Sequence, residues 1–282
     1  MIHTAKQMKD LVRNLSKETG VQAHVLIRRF MMERLLERIS LSKYNRSFIL
    51  KGGMLVSSFV GIDLRGTMDI DTTIKGLPVT LDDMERILRE IMMIPIEDGV
   101  SFHIKSIENI IEDAEYVGIR MMLEAHLDQS VTPLKLDIST GDVITPGEMQ
   151  YEYPLMFENR TISLMAYPLE TVLAEKVETI LSRATLNTRM RDFYDVYVLS
   201  ENCWDSIHTD SLRTAIKATA EKRGSTAQLR AANQILTAIQ ESKELQSLWL
   251  NYQSKNEYAA KCDWLMVMAA LLKVLSLVDI KE

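Results

Sequence analysis

Leu50-Lys51-Gly52-Gly53 closes a short apolar run, and Asp69-Ile70-Asp71 opens a second one sixteen residues after Gly53. Ser47-Phe48-Ile49-Leu50 has the character of a short buried strand. Gly52 and Gly53 carry no Cβ, so the backbone there can pass close to a phosphate. Met54 to Val60 reads as a helix, whose free N–H groups and dipole would face that phosphate. Residues two apart in a strand share a face. Asp69 and Asp71 are therefore expected to point together, with Ile70 toward the core. Two adjacent carboxylates repel each other unless a cation lies between them. Mg²⁺ or Mn²⁺, which favour hard oxygen ligands, would suit that place. A triphosphate held at a diglycine turn beside a two-carboxylate metal site is what nucleotidyl transfer requires.

Neither stretch is decisive alone. A diglycine turn is common, and Asp-x-Asp on a strand can be two solvent-facing side chains. Their order and spacing together favour the metal site.

The chain has 282 residues, 46% hydrophobic and 26% charged, the balance of a globular protein rather than a disordered one. No apolar run approaches the roughly 20 residues that span a bilayer. Met1-Ile2-His3-Thr4-Ala5-Lys6 lacks the apolar core of a signal peptide. Cys203 and Cys262 lie far apart in helical-looking segments and read as buried thiols. A cytoplasmic location with no membrane partner is expected.

The net charge of −6 is uneven. Residues 1–51 carry eleven Lys and Arg against four Asp and Glu, a local +7, which leaves −13 for the rest. A basic segment beside an acidic metal site suits an enzyme that grips a polyanionic acceptor. Arg28, Arg29, Arg34 and Arg38 are the candidate acceptor-binding residues, Arg34 and Arg38 sharing a helix face. A solvated helix face is the competing account.

Helical periodicity covers Val21 to Ile39, and Thr80 caps a helix reaching about Met93. Strand-like runs lie at 47–50, 68–74, 101–111, 116–125, 132–138 and 151–156. From Leu169 onward the pattern is helical, over 169–182, 190–200, 207–222, 226–239 and 257–277. The expected fold is α+β: a mixed-sheet catalytic domain with N-terminal helices over 1–167, then a helical domain over 168–282.

Three further positions carry candidate chemistry. Asp137, in Leu134-Lys135-Leu136-Asp137-Ile138, could add a third carboxylate and activate the nucleophile, or simply pair with Lys135 on the same strand face. Lys176 lies inside the apolar stripe formed by Leu169, Val172, Leu173, Val177, Ile180 and Leu181. It must snorkel outward or reach a buried anion, and a triphosphate is the expected one. Asp192 could cap its helix, and Asp195 could pair with Arg191 at i+4. No Ser-His-Asp or Cys-His triad can be assembled from spacing, the five histidines show no metal-ligand pairing, and no Gly-Lys-Ser/Thr follows the diglycine.

Four segments in order resemble the motifs of the AbiEii/AbiGii toxin family. They are Ile49-Leu50-Lys51-Gly52-Gly53, Arg65-Gly66-Thr67-Met68-Asp69-Ile70-Asp71, Leu173-Ala174-Glu175-Lys176 and Arg191-Asp192-Phe193-Tyr194-Asp195-Val196-Tyr197. Lys217 to Gly224 also looks like a family feature. The resemblance runs from about residue 45 to 225. It implies a polymerase-β-like nucleotidyltransferase fold with a helical C-terminal part. It also implies a toxin of a bacterial toxin–antitoxin pair, linked to abortive phage infection, some members adding nucleotides to the 3′ end of tRNA and stopping translation. By motif match, Gly52, Gly53, Asp69 and Asp71 take the triphosphate and metal roles, and Lys176 and Asp192 the third and fourth motif roles. Arg65 and Thr67 match an Arg-x-Ser/Thr expected to touch phosphate, with Thr67 where many members have Ser. The stretch Val100 to Glu124 matches no motif.

The resulting expectation is a Mg²⁺- or Mn²⁺-dependent transferase of NMP from an NTP. Asp69, Asp71, Asp137, Lys176 and Asp192 would be its catalytic residues. Gly52, Gly53, Arg65, Thr67 and Lys176 would hold the nucleotide. An RNA 3′ end, with tRNA favoured, is the acceptor and a cognate antitoxin the partner. Nucleotidylation of a protein hydroxyl and a non-catalytic NTP-binding toxin are the alternatives.

Overall fold

The computed structural model describes residues 2–112 and 116–278. Residues 113–115, inside the unassigned stretch from Val100 to Glu124, lie outside the described residues. The chain divides into two compact units. The first comprises Met1–Ser58, Arg65–Asp142 and Glu148–Ala166; the second comprises Phe59–Leu64, Val143–Gly147 and Tyr167–Glu282.

In the first unit the elements run α1 (Ala5–Thr19), α2 (Ala23–Leu41), β1 (Phe48–Lys51), α3 (Gly52–Val60, its last two residues assigned to the second unit), β2 (Ile70–Ile74), α4 (Leu81–Met92), β3 (Val100–Glu112), β4 (Tyr116–Leu127), β5 (Ser130–Thr140), β6 (Met149–Pro154) and β7 (Thr161–Ala166). The strands form one seven-stranded mixed sheet of order β3-β4-β5-β2-β1-β7-β6. β1 is antiparallel to β2 and parallel to β7, and β2 is parallel to β5.

Alternation along the strands divides the sheet into two faces. Leu50, Ile70, Met121 and Leu136 are essentially inaccessible and belong to the apolar face. α2 packs on β5 and β7, and α4 packs on β3. The opposite face carries Lys51, Asp71, Arg120 and Asp137, brought side by side because Lys51 pairs with Asp71, Asp71 with Asp137, and Arg120 with Asp137. β7 was not apparent as a strand in the sequence, although Ile162, Leu164 and Ala166 alternate inward.

The N-terminal arginines require a correction. Arg29, Arg34 and Arg38 do not form an exposed basic face, because all three are buried in ion pairs. Arg29 pairs with Glu33 at 2.9 Å and Arg34 with Glu37 at 3.0 Å and Glu158 at 3.1 Å. Arg38 forks onto both oxygens of Asp98 at 2.8 and 2.9 Å and also donates to the Val100 carbonyl at 2.8 Å. Arg160 completes the lattice by gripping Glu37. Burial would be costly for these charges without partners. Each guanidinium is therefore committed to a carboxylate. Arg28 alone of the four is only partly buried.

This placement changes the expected effect of substitution. Arg38→Lys keeps the charge but loses the planar fork that matches Asp98. It should lower stability by about 1.5–3 kcal/mol, the worth of a hydrogen bond to a charged group. Urea unfolding followed by far-ultraviolet circular dichroism would read the loss. The salt dependence of acceptor binding should not change.

The second unit is helical, with α5 (Leu169–Arg183), α6 (Met190–Asn202), α7 (Thr209–Lys222), α8 (Thr226–Arg230), α9 (Ala232–Glu241), α10 (Lys243–Lys255) and α11 (Trp264–Ser276) among the described residues. The span 226–239 breaks at Ala231, and α11 begins only after Asp263, whose side chain caps it at the Met266 N–H. Both cysteines are free thiols. No helix of the described residues is long and apolar enough to cross a membrane.

Candidate active site

Gly52, Gly53, Arg65, Thr67, Asp69 and Asp71 lie around the junction of β1, α3 and β2. Asp137 is on the adjacent β5, and the four candidate arginines are away on α2. β1 ends at Lys51 and α3 starts at Gly52 without an intervening loop. Gly52 makes that possible, since its φ of +67° is a left-handed conformation that an L side chain resists. Its lack of a Cβ has a second use: a Cβ there would overlap the Asp71 carboxylate. A Cβ at Gly53 would likewise overlap the Thr67 hydroxyl and crowd the Arg65 guanidinium. The glycines thus admit the side chains of the second motif to the N-terminus of α3.

Gly52→Ala should therefore displace Asp71 as well as strain the turn. A loss of transfer of about a hundredfold is expected, the effect of misplacing a reacting group by roughly 1 Å. Steady-state transfer rates beside a thermal melt would separate this from simple unfolding.

Asp69 stands just before β2 and Asp71 within it, with Ile70 fully buried between them. Arg65 and Thr67 are buried. Arg65 donates to the neighbouring Gly66 carbonyl, and Thr67 lies 3.5 Å from the Asp69 carbonyl. Lys51 is drawn sideways to Asp142 at 2.7 Å, which also accepts from Ser139 and Thr73.

Asp137 sits beside Asp71 in the β2–β5 register. Its two oxygens accept a fork from Arg120, Nε to Oδ1 and a terminal nitrogen to Oδ2, both at 2.8 Å. Lys135 bridges Asp69 at 2.8 Å and Asp137 at 3.4 Å. The fork to Asp137 raises the Arg120 pKa further above its ordinary value despite partial burial. For Lys135, burial works against the charge, but the hydrogen bond and charge of Asp69, then the charge of Asp137, outweigh it and raise the pKa. Asp69 and Asp137 thus come with resident cations, Lys135 on both and Arg120 on Asp137. Arg120 was not a sequence candidate; only the strand register identifies it.

The donor set fits a hard divalent cation. Asp69 and Asp71 offer carboxylate oxygen, and the Asp71 carboxylate fills the space that a Cβ at Gly52 would take. Among the described residues no group of three or more His, Cys, Asp or Glu is placed to hold a metal ion. The fit is therefore to a two-carboxylate site completed by phosphate oxygens and water, a common Mg²⁺ arrangement.

In the second unit, Lys176 reaches buried anions, and these are carboxylates of the fourth motif. Its Nζ lies 2.5 Å from Asp192 Oδ1 and 3.0 Å from Asp195 Oδ2. The two aspartate side chains are 3% and 0% exposed, so an isolated charge on either would be poorly solvated. Arg189 adds a second cation to Asp192 at 2.9 Å. Asp192 lies in the first turn of α6 without a side-chain cap bond. The stretch from Lys217 to Gly224 gains a structural meaning too. Arg223 pairs with Glu175 at 2.8 Å and Glu178 at 2.9 Å, tying the end of α7 to the third-motif helix.

A family model described as Nucleotidyl transferase AbiEii toxin, Type IV TA system, matches residues 34–266. No curated protein matches the chain. The fold is similar to the crystal structure of JHP933 from Helicobacter pylori, with a TM-score of 0.53 and 17% identity over 91% of this chain and 92% of that one. A lesser likeness is to an antigenic nucleotidyltransferase-like protein from Paracoccidioides brasiliensis. There the TM-score is 0.41 and the identity 14%, over 85% of this chain and 93% of that one.

Proposed function

The chain belongs to the AbiEii nucleotidyl transferase toxin family of type IV toxin–antitoxin systems, and on that premise we propose that it transfers NMP from an NTP to the 3′ end of an RNA, tRNA before others, and so blocks translation. The family implies an NTP substrate and a cognate antitoxin. The observation that carries the reading is the Asp71 carboxylate lying against the glycine-started N-terminus of α3, with Asp69 two residues before it, just ahead of β2.

The N-terminal amides of α3 would receive phosphate oxygens, with Gly52 and Gly53 allowing close approach. Arg65 and Thr67, whose side chains lie against Gly53, would touch phosphate there. Asp69 and Asp71 would hold Mg²⁺ or Mn²⁺, which when bound neutralises the triphosphate and acidifies the acceptor hydroxyl. The hydroxyl oxygen bonds to the α-phosphorus as the α–β bridging P–O bond breaks, and pyrophosphate departs. The hydroxyl proton passes to water. Lys176 and Asp192, expected as catalytic residues, enter this proposal instead as the paired polar core of the second unit.

A protein hydroxyl is the second reading. The burial of Arg29, Arg34 and Arg38 favours it, because it removes the basic face that would have gripped a polynucleotide. One experiment separates the two: incubation with Mg²⁺ and each of four α-labelled NTPs, against total tRNA in one set of lanes and nucleic-acid-free cell protein in another. Label in the tRNA band supports the first reading. Label in protein alone replaces it with the second, and label in neither sinks both.

A further inference from the structure

We propose that Lys135 is a built-in counter-cation of the metal site. It bridges Asp69 and Asp137 when no metal is bound and is exchanged for the divalent ion as substrate arrives. The inference rests on the reading of Asp69 and Asp71 as metal ligands, and goes beyond it in assigning work to Lys135, Arg120 and Asp137.

Three observations carry it. Lys135 Nζ contacts Asp69 at 2.8 Å and Asp137 at 3.4 Å, so one ammonium bridges two carboxylates of the polar face. Its side chain remains 27% exposed, so it can leave into solvent on its four-carbon stem without unpacking a core. Asp137, by contrast, is pinned: its side chain is 8% exposed and both oxygens are taken by the Arg120 fork. A carboxylate forked by arginine is a poor third ligand, because the guanidinium would sit against the incoming cation. Asp137 is better placed as an anchor. It holds Arg120 in place on the sheet face.

The exchange is electrostatically self-consistent. Without metal, Lys135 relieves the repulsion between Asp69 and its carboxylate neighbours. With metal bound, the ammonium and a dication cannot share Asp69, so the lysine swings off. The freed ammonium then lies on the same sheet face as Arg120, available to the phosphates of a nucleotide. Lys135 thus weakens metal binding to the empty enzyme and strengthens its use of nucleotide, which ties tight metal binding to the arrival of the triphosphate.

The test uses the full chain stripped of metal, with Mn²⁺ as the probe and free Mn²⁺ counted by electron paramagnetic resonance. Lys135→Met should bind Mn²⁺ at least tenfold more tightly than wild type, while its kcat/KM for NTP falls. Asp137→Asn should retain Mn²⁺ binding, and Asp69→Asn should lose it. If Lys135→Met binds Mn²⁺ no better than wild type while Asp69→Asn loses it, the counter-cation idea is overturned and the metal assignment stands. If Asp69→Asn binds as well as wild type, the metal assignment itself fails. A second measurement needs no variant. Acetylation of Lys135 in the wild-type chain, read by mass spectrometry, should speed up several-fold when Mn²⁺ is added. An unchanged rate would overturn the exchange.

Discussion

Asp71→Asn is expected to reduce nucleotidyl transfer by about a thousandfold or more while the protein stays folded. Loss of a metal ligand at a phosphoryl-transfer site costs several kcal/mol in the transition state, and about 4 kcal/mol is three orders of magnitude. The substitution is nearly isosteric, so the room that Gly52 leaves for this side chain stays filled. Removing one of several clustered carboxylates also relieves repulsion, so the melting temperature should hold or rise slightly. Asp69→Asn should behave alike in transfer but differ in one respect, since it strips Lys135 of its 2.8 Å partner. Single-turnover transfer with labelled NTP, beside a melt of each variant, is the check. Both variants keeping more than a tenth of wild-type turnover would end the metal assignment.

How much of this was legible in the sequence depended on how far each residue's partners lay along the chain. The β1–α3 junction could be read because strand, turn and helix are contiguous and the diglycine marks the turn. Even there the reason for the glycines was incomplete: sequence suggested room for a phosphate, whereas the fold also shows room for Asp71 and Thr67. The N-terminal arginines show the limit most clearly. A count of charges over residues 1–51 is correct as arithmetic, yet Arg38 is answered by Asp98 and Arg34 by Glu158, 60 and 124 residues away. No local pattern signals such pairs, and helical periodicity treats a buried arginine as a surface one. Asp137 fell between the two cases. Its own strand alternation was visible, but its partner Arg120 became identifiable only when the β4–β5 register was known. α1 fell within the expected N-terminal helices but could not be given bounds, because its buried stripe is thin, with Ala5, Met8 and Val12 as its inaccessible positions.

Lys176 is the case in which a local anomaly did predict a buried partner, and the nature of that partner changes the expected phenotype. A lysine reaching only for triphosphate could be removed at little cost to folding. A lysine that neutralises Asp192 and Asp195, 3% and 0% exposed, cannot. Lys176→Ala leaves two buried carboxylates with less than their share of positive charge, and breaking a buried pair from one side typically costs about 3–5 kcal/mol. Arg189 offsets part of this at Asp192 but, at 50% side-chain exposure, is partly screened by solvent. The effect should be visible within the second unit alone, because all three tryptophans of the chain, Trp204, Trp249 and Trp264, lie there. Urea unfolding followed by tryptophan fluorescence should therefore show an early transition in Lys176→Ala. Lys176→Met combined with Asp195→Asn should recover part of the loss, since one carboxylate then leaves with the lysine and Asp192 keeps Arg189. An alanine variant with an unchanged urea midpoint but a raised KM for NTP would overturn this account and return Lys176 to the nucleotide.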